Sequence, residues 1–551
     1  MPIRRAVQLA AGLVILAAVG FWIALAVRGA MARRTLIVEP IQVQAGSLQG
    51  ISGVDGAGLA RTLAARLEAL QTEAEPQPGE PGWSRIKTGA GGGLGQTDHL
   101  FGEIAASPQG PVLRLRINQD QAITTALAAS TPQAIADRGA ELVFAHARPI
   151  AYASRLAHAG RINEALPRFA ALSQTGAPAA RAAANRAWAS ALGGGLGDFA
   201  GYMRRQREAL ALEPADPVTY LALAQGDYVL GHDQAALDDL TIALGRGPGL
   251  GPLRLPAEWF APAATRAVLA RWRGDFRAAA KASWAGPRGP VSDLYLAGDL
   301  AQGHDPRGAL AMLDHPTAGP AGAESLAGSI PIVLAARARA LVALDLGRPG
   351  EAAKILGDLE QTPLAPGAAN TRPVLTRPYL ALAKARLGQA TAAKALIEAT
   401  PDDCYTCLRV RGIMALEQGD FAAAQAWLNQ AVGQGPRLAF AHADLGALSL
   451  AQGDAPAALV HLRRAHALSP HYADALALMG EALTRQGKAR AAARWFARAD
   501  REAPRWGRNH LRWGQALLAA HDPEGARRQF DLAAALELDP AGRRALEAAR
   551  R

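Results

Sequence analysis

The chain has 551 residues and a formal net charge of +11, with aromatic residues at only 5 %. That length exceeds one ordinary core, so the sequence needs either several domains or an architecture that grows by addition. The basic residues are mostly arginines scattered among alanines; without an arginine stripe interleaved with aromatics or a recognised motif, no nucleic-acid partner is expected.

Ala6 to Val27 are 22 uncharged, mainly apolar positions. As a helix rising ~1.5 Å per residue they would reach about 33 Å, enough to cross a bilayer. Residues 1–34 therefore read as a transmembrane anchor with a short tail. Arg4 and Arg5 precede the apolar run and Arg28, Arg33 and Arg34 follow it, so charge does not settle orientation. A secretory signal cleaved near Ala24-Leu25-Ala26 is the alternative, although Trp22 and Ile23 make that region unusually apolar and favour an uncleaved anchor. Both readings with a short cytoplasmic tail predict a single-pass protein of a bacterial inner membrane with its bulk in the periplasm; the opposite topology stays open.

Residues 35–148 read as a small α/β domain. Leu36-Ile37-Val38 and Ile41-Gln42-Val43 are extended in character, and Leu59, Leu63, Leu67 and Leu70 share one helical face. After a Pro/Gly-rich linker at 72–82 come Ser84 to Thr88, Phe101 to Ala105, and Val112 to Ile117, whose alternation suits a half-buried strand. Thr131-Pro132 opens a helix, threonine capping and proline tolerated in the first turn. The glycines between Gly89 and Asp98 are not followed by Lys-Ser/Thr, so they read as a connection between strands and not as a phosphate cradle. Gly193-Gly194-Gly195-Leu196-Gly197 reads in the same way, as the turn of a repeat.

From about residue 150 the chain reads as helical hairpins, degenerate over 149–403 and regular over 404–551. Gly412, Gly446, Gly480 and Gly514 are spaced 34 apart, and Ala424, Ala458, Ala492 and Ala526 keep the same phase, as do Leu428, Leu462, Phe496 and Phe530. Small residues belong where two antiparallel helices cross, with the larger one filling the space beside them. Pro436, Pro470 and Pro504 end second helices, because proline lacks the amide hydrogen. Gly-Asp-Phe at 197–199 and 274–276, with Gly231 and Gly347, mark weaker copies. Glycine- and proline-rich stretches at 245–256, 286–290, 314–330 and 361–373 read as long loops between repeats. Ala541 to Arg551 reads as a capping helix, with Leu546 turned inward.

This pattern resembles the tetratricopeptide repeat, most closely over 405–540. The resemblance implies a mainly α, right-handed solenoid of helical hairpins that holds a protein or peptide on a concave face lined by first helices. Projecting the repeat phase onto those helices gives Arg409, Glu417, Phe440, Asp474, Glu481, Arg485, Arg508 and Gln515 as groove candidates. A recurrent lysine–asparagine clamp for a C-terminal carboxylate is missing at the equivalent phases.

Cys404-Tyr405-Thr406-Cys407 holds the chain's 2 cysteines, at the start of a first helix. A disulfide bracing the repeat is the leading reading; a thiol redox pair is the alternative, since the positive end of a helix lowers thiol pKa. His442, His461, His466, His471 and His510 lack metal-ligand spacing, and His-acid neighbours such as Asp98-His99 and His304-Asp305 carry little weight without a nucleophile motif. The expectation is a non-enzymatic, membrane-tethered scaffold for envelope assembly, secretion or polymer export, with no catalytic residue, cofactor or metal. The alternatives are the redox protein, and a ligand sensor acting through residues 35–118.

Overall fold

The computed structural model describes residues 34–44, 55–73, 83–89, 96–127, 131–245, 262–285, 289–315 and 330–551. These fall into two compact units, Met1–Ala191 and Leu192–Arg551. The apolar run 6–27, the linker core 74–82, the glycines at 90–95 and most of the loops at 246–261, 286–288 and 316–329 lie outside the described residues. The expected inner-membrane, periplasmic placement is corrected: no helix among the described residues is long and apolar enough to cross a membrane, and the run on which it rested is not among them.

The first unit is built on a sheet of β1 (Arg34–Val38), β2 (Gln42–Val43), β3 (Arg85–Thr88), β4 (Gln96–Ser107), β5 (Gly110–Ile117) and β6 (Ile123–Ala126), in the order β3-β1-β4-β5-β6 with β2 beside β4. β1 runs parallel to both β3 and β4, pairing Leu36 with Ile86 and with Asp98. A parallel neighbour needs a crossover, which helix Gly56–Glu73 supplies. Its Leu59, Leu63, Leu67 and Leu70 are buried with Leu113, Leu115 and helix Pro132–Ala147. Thr131 caps that helix, its hydroxyl accepting from the Ala134 amide at 3.2 Å. Gly139 lets the helix lie close on the core: a methyl group there would stand 3.0 Å from Leu63. Helices Pro149–His158, Ile162–Leu172 and Pro178–Ser190 join the same core through Ile150, Phe169 and Ala184.

The second unit is helical. Its regular part pairs Tyr405–Glu417 with Phe421–Gln434, Ala439–Ala451 with Ala455–Leu468, Ala473–Arg485 with Ala489–Glu502, and Gly507–Ala519 with Pro523–Ala535, closed by Pro540–Arg550. The crossing logic of the repeat is visible atom by atom. A methyl group on Gly446 would come within 2.6 Å of Leu462, and one on Gly480 within 2.8 Å of Phe496. Aspartate caps second helices: Asp420 accepts from the Ala423 amide at 3.0 Å, Asp454 from Ala457 at 2.8 Å and Asp522 from Gly525 at 2.8 Å. Consecutive first helices touch one another, which puts them on the inside of the array and the second helices outside.

Two stretches depart from the loop reading. Residues 361–373 form the short helices Pro366–Ala369 and Arg372–Leu375 around buried Thr371. Gly193 to Leu196 belong to a π-helical turn, Ala191–Leu196. The Gly197 carbonyl after it accepts from the Asn370 amide at 3.0 Å.

Candidate functional site

The inner face of the second unit is not an open trough along its whole length. Hairpin turns of the earlier repeats lie against the start of first helices in the later ones, joining residues 170 to 230 apart in sequence. The Tyr405 amide donates to the Gly231 carbonyl at 2.8 Å. Gly274 sits on the Tyr472 ring and Gly347 on Asp539 and Pro540. We call this line of contacts the seam.

At Gly231 the seam requires glycine twice over. Its φ of +84° is left-handed, and a methyl group would meet the Cys404 side chain at 2.8 Å. At the corresponding turn of another repeat, the left-handed residue is His304, with φ +58°. Its imidazole stacks on Trp506 at a centroid distance of 3.8 Å and an interplanar angle of 2°, with Asp345 at 3.4 Å and Asp474 at 3.3 Å. Burial pulls this imidazole down, but the charges of Asp474 and Asp345 outweigh that and push its pKa up to about 10. His232, in the Gly231 turn, bridges Asp227 at 3.2 Å and Asp403 at 3.1 Å. The Asp227 hydrogen bond outweighs partial burial and, with Asp403, pushes it up to about 8.

The groove candidates separate by position along their helices. Arg409, Phe440, Asp474 and Arg508 stand nearer the helix starts, beside the seam. Arg409 holds Asp444 through its Nε at 2.6 Å and lies 5.1 Å over the Phe440 ring. Phe440 meets Tyr472 at 5.1 Å and Phe276 at 6.3 Å. Asp474 is taken by His304, and Arg508 by Asp539 at 2.6 Å.

Glu417, Glu481, Arg485 and Gln515 lie further along their helices. Glu417 pairs with Arg386 at 2.7 Å, and Glu481 with Arg485 at 2.8 Å and Arg512 at 3.4 Å, while Gln515 is exposed. The turns beside them, at Gly419, Gly453 and Gly487, face open space. These residues form an open rim.

Cys404 and Cys407 are joined by a disulfide, both fully buried. Cys404 caps helix Tyr405–Glu417, its sulfur accepting from the Cys407 amide at 3.1 Å. Buried sulfurs offer an attacking thiolate no access, which favours a brace over a redox pair.

The histidines disperse. His471 pairs with Glu502 at 2.9 Å, His510 lies between Gln529 at 2.8 Å and Asp500 at 3.2 Å, and His466 meets Arg498 at 3.3 Å. His442 and His461 are held below their ordinary pKa, both chiefly by burial. Among the described residues no group of three or more His, Cys, Asp or Glu side chains is placed to hold a metal ion. In the first unit Asp98 is bound by Arg34 at 3.1 Å, Trp83 at 2.8 Å and Asn118 at 2.9 Å, while His99 turns to Glu39 at 2.8 Å. Burial raises the Asp98 carboxyl, but the Arg34, Asn118 and Trp83 donors outweigh it and hold it below the ordinary range.

Sequence reasoning missed the interior partners: Asp444, Arg337 bonded to the Tyr228 and Tyr379 hydroxyls, and the buried pair Arg271–Asp299 at 2.9 Å. One signal was available, a histidine at 304 where the turns at 274 and 347 carry glycine.

The tetratricopeptide-repeat family model matches residues 449–510. No curated protein sequence matches the chain. Among solved structures, yeast Tom70 is similar at 15 % identity and TM-score 0.34, covering 72 % of this chain and 94 % of its own. The Cut9–Hcn1 heterotetramer of the APC/C is similar at 12 % identity and TM-score 0.40, covering 76 % and 88 %. Human IFIT1 with PPP-AAAA is similar at 14 % identity and TM-score 0.37, covering 72 % and 84 %. Residues 449–510 thus match the tetratricopeptide-repeat model, and among the described residues the second unit is a mainly helical array of hairpins.

Proposed function

We propose that this protein is a non-enzymatic scaffold that binds a protein or peptide along the open rim of its inner face, at Glu417, Glu481, Arg485 and Gln515. The observation that carries the reading is the split of the inner face. Its helix starts are engaged by aromatic and charged side chains of the seam, whereas Glu417, Arg485 and Gln515 are exposed beside turns that face open space and pair only within their own or neighbouring helices. The buried charges support binding over catalysis, since Arg409–Asp444 and Arg271–Asp299 neutralise one another within the chain.

Photo-crosslinking in cells tests it. A photoreactive residue at Gln515 or Glu481 is expected to trap a protein that the same residue at Phe440 does not, and Arg485→Glu should cut the yield at least ~10-fold. Equal adducts at all three positions, or none at the rim, would contradict the reading.

A further inference from the structure

Away from the rim, the first helices of the earlier repeats gather tyrosines around one guanidinium. Tyr228 comes from helix Pro217–Leu230, Tyr295 from Pro290–Gln302, Arg337 from Ile330–Asp345 and Tyr379 from Arg377–Arg386. Arg337 donates through Nη1 to the Tyr228 hydroxyl and through Nη2 to the Tyr379 hydroxyl at 3.4 Å, and lies 5.5 Å over the Tyr379 ring. Arg271 lies 5.1 Å over the Tyr295 ring. Tyr295 keeps 36 % of its surface exposed, and its hydroxyl is near enough to feel the Tyr228 phenol and the Arg271 and Arg337 charges.

Unlike Arg271 and Arg409, which each hold an aspartate, Arg337 makes no ion pair among the described residues. Asp299 is held by Arg271 through both oxygens. Asp233 offsets part of the Arg337 charge at a distance, while its Oδ1 accepts from the Trp272 indole at 3.3 Å. The Arg337 Nε is buried, so the groups left to meet a ligand are the phenols in front of it. A hydroxyl oxygen that accepts from a guanidinium turns its own hydrogen elsewhere, and for Tyr228, Tyr295 and Tyr379 no acceptor of that hydrogen is present among the described residues. Accepting from a cation also polarises a hydroxyl and strengthens it as a donor. Three donors backed by one unpaired positive charge suit a group that only accepts, which is an oxyanion. The seam narrows the way to this cluster, since Tyr228 stands one turn before Gly231, and that favours a small molecule.

We propose that this cluster binds a small oxyanion, a phosphate or a carboxylate, on the hydroxyls of Tyr228, Tyr295 and Tyr379 with the Arg337 guanidinium behind them. Titration calorimetry on the full chain tests it, with inorganic phosphate and acetate as separate probes in chloride buffer of constant ionic strength. Saturable binding of at least one probe is expected, with a Kd of about 1 mM or tighter. Which of the two binds more tightly tells a phosphate site from a carboxylate site. Tyr295→Phe keeps the ring and removes a hydroxyl that bonds to nothing else among the described residues, and should weaken binding at least ~3-fold. Arg337→Gln should weaken it at least ~10-fold. Arg463→Gln with Arg464→Gln removes exposed charge elsewhere and should change affinity less than ~2-fold. Melting curves confirm that each variant is folded; if Arg337→Gln is not, Tyr295→Phe with Tyr379→Phe replaces it, with a loss of at least ~10-fold expected. Failure of both probes to saturate by ~10 mM, full affinity in Tyr295→Phe, or a loss in the Arg463/Arg464 variant equal to that at Arg337 would overturn the proposal.

Discussion

Gly231 and Gly419 hold the same place in their hairpins and similar left-handed backbones, φ +84° and +78°, yet only Gly231 is pressed against another part of the chain. Gly419→Ala pays the strain of the backbone alone, about 1–2 kcal/mol. Gly231→Ala also drives a methyl group into Cys404, so urea melts should show at least ~2 kcal/mol of additional loss; equal losses would mean the seam is not closed there. The glycines were legible as turn residues in the sequence, because a left-handed turn favours glycine wherever it occurs. Which of them lie on the seam was not, since that depends on residues far along the chain. The seam histidines set a pH dependence. The folded pKa values of His232 and His304, about 8 and about 10, lie above the unfolded value near 6.5, so folding favours the protonated ring. Their contribution is complete below about 6.5 and is lost as pH rises through about 8 and then about 10. The Tm should fall over that window, and His304→Gln should flatten its upper part; a Tm that rises with pH, or an unchanged slope in His304→Gln, would contradict this. Asp98 acts in the opposite sense. Its depressed carboxyl supports the first unit above its unfolded pKa and loses that support as pH falls through the lower folded value.

Among the elements, helix Tyr405–Glu417 joins the regular repeats to the seam. Its cap is the Cys404–Cys407 disulfide, buried against Gly231. Loop-closure entropy for so short a ring is about 2 kcal/mol, and replacing both cysteines with serine should cost about that much. In the native chain the sulfurs should resist dithiothreitol and label only when the chain is unfolded in its presence; ready reduction without loss of structure would favour the redox alternative. The hairpins themselves were readable because each repeats one local solution: glycine under Leu462 or Phe496, aspartate capping the next helix. The helices within residues 361–373 were not, because their glycines and prolines carry the composition of a loop while their structure rests on distant partners such as Gly193 and Gly197. In the first unit, strand Gly110–Ile117 was signalled by its alternation, whereas Ile123–Ala126 is too short to show a period.

Over the second unit as a whole, stability comes from stacking along the array and from the seam between its earlier and later repeats. The last helix serves both. Leu546 packs with Leu511, Phe530 and Leu538, and Pro540 lies against Gly347. Ending the chain after Asp539 should expose that cluster and lower both solubility and Tm; unchanged values would remove the capping role. The groove set projected from the sequence was blind to closure, since periodicity says which helix face repeats and nothing about what fills the interior. The claim on which the rest depends is that the inner face is closed by energetic contact between distant repeats. A double-mutant cycle on His304 and Asp474, using His304→Gln and Asp474→Asn in chemical denaturation, measures that contact directly. Closure predicts a coupling of about 1–3 kcal/mol, whereas effects that add to within ~0.5 kcal/mol would contradict it.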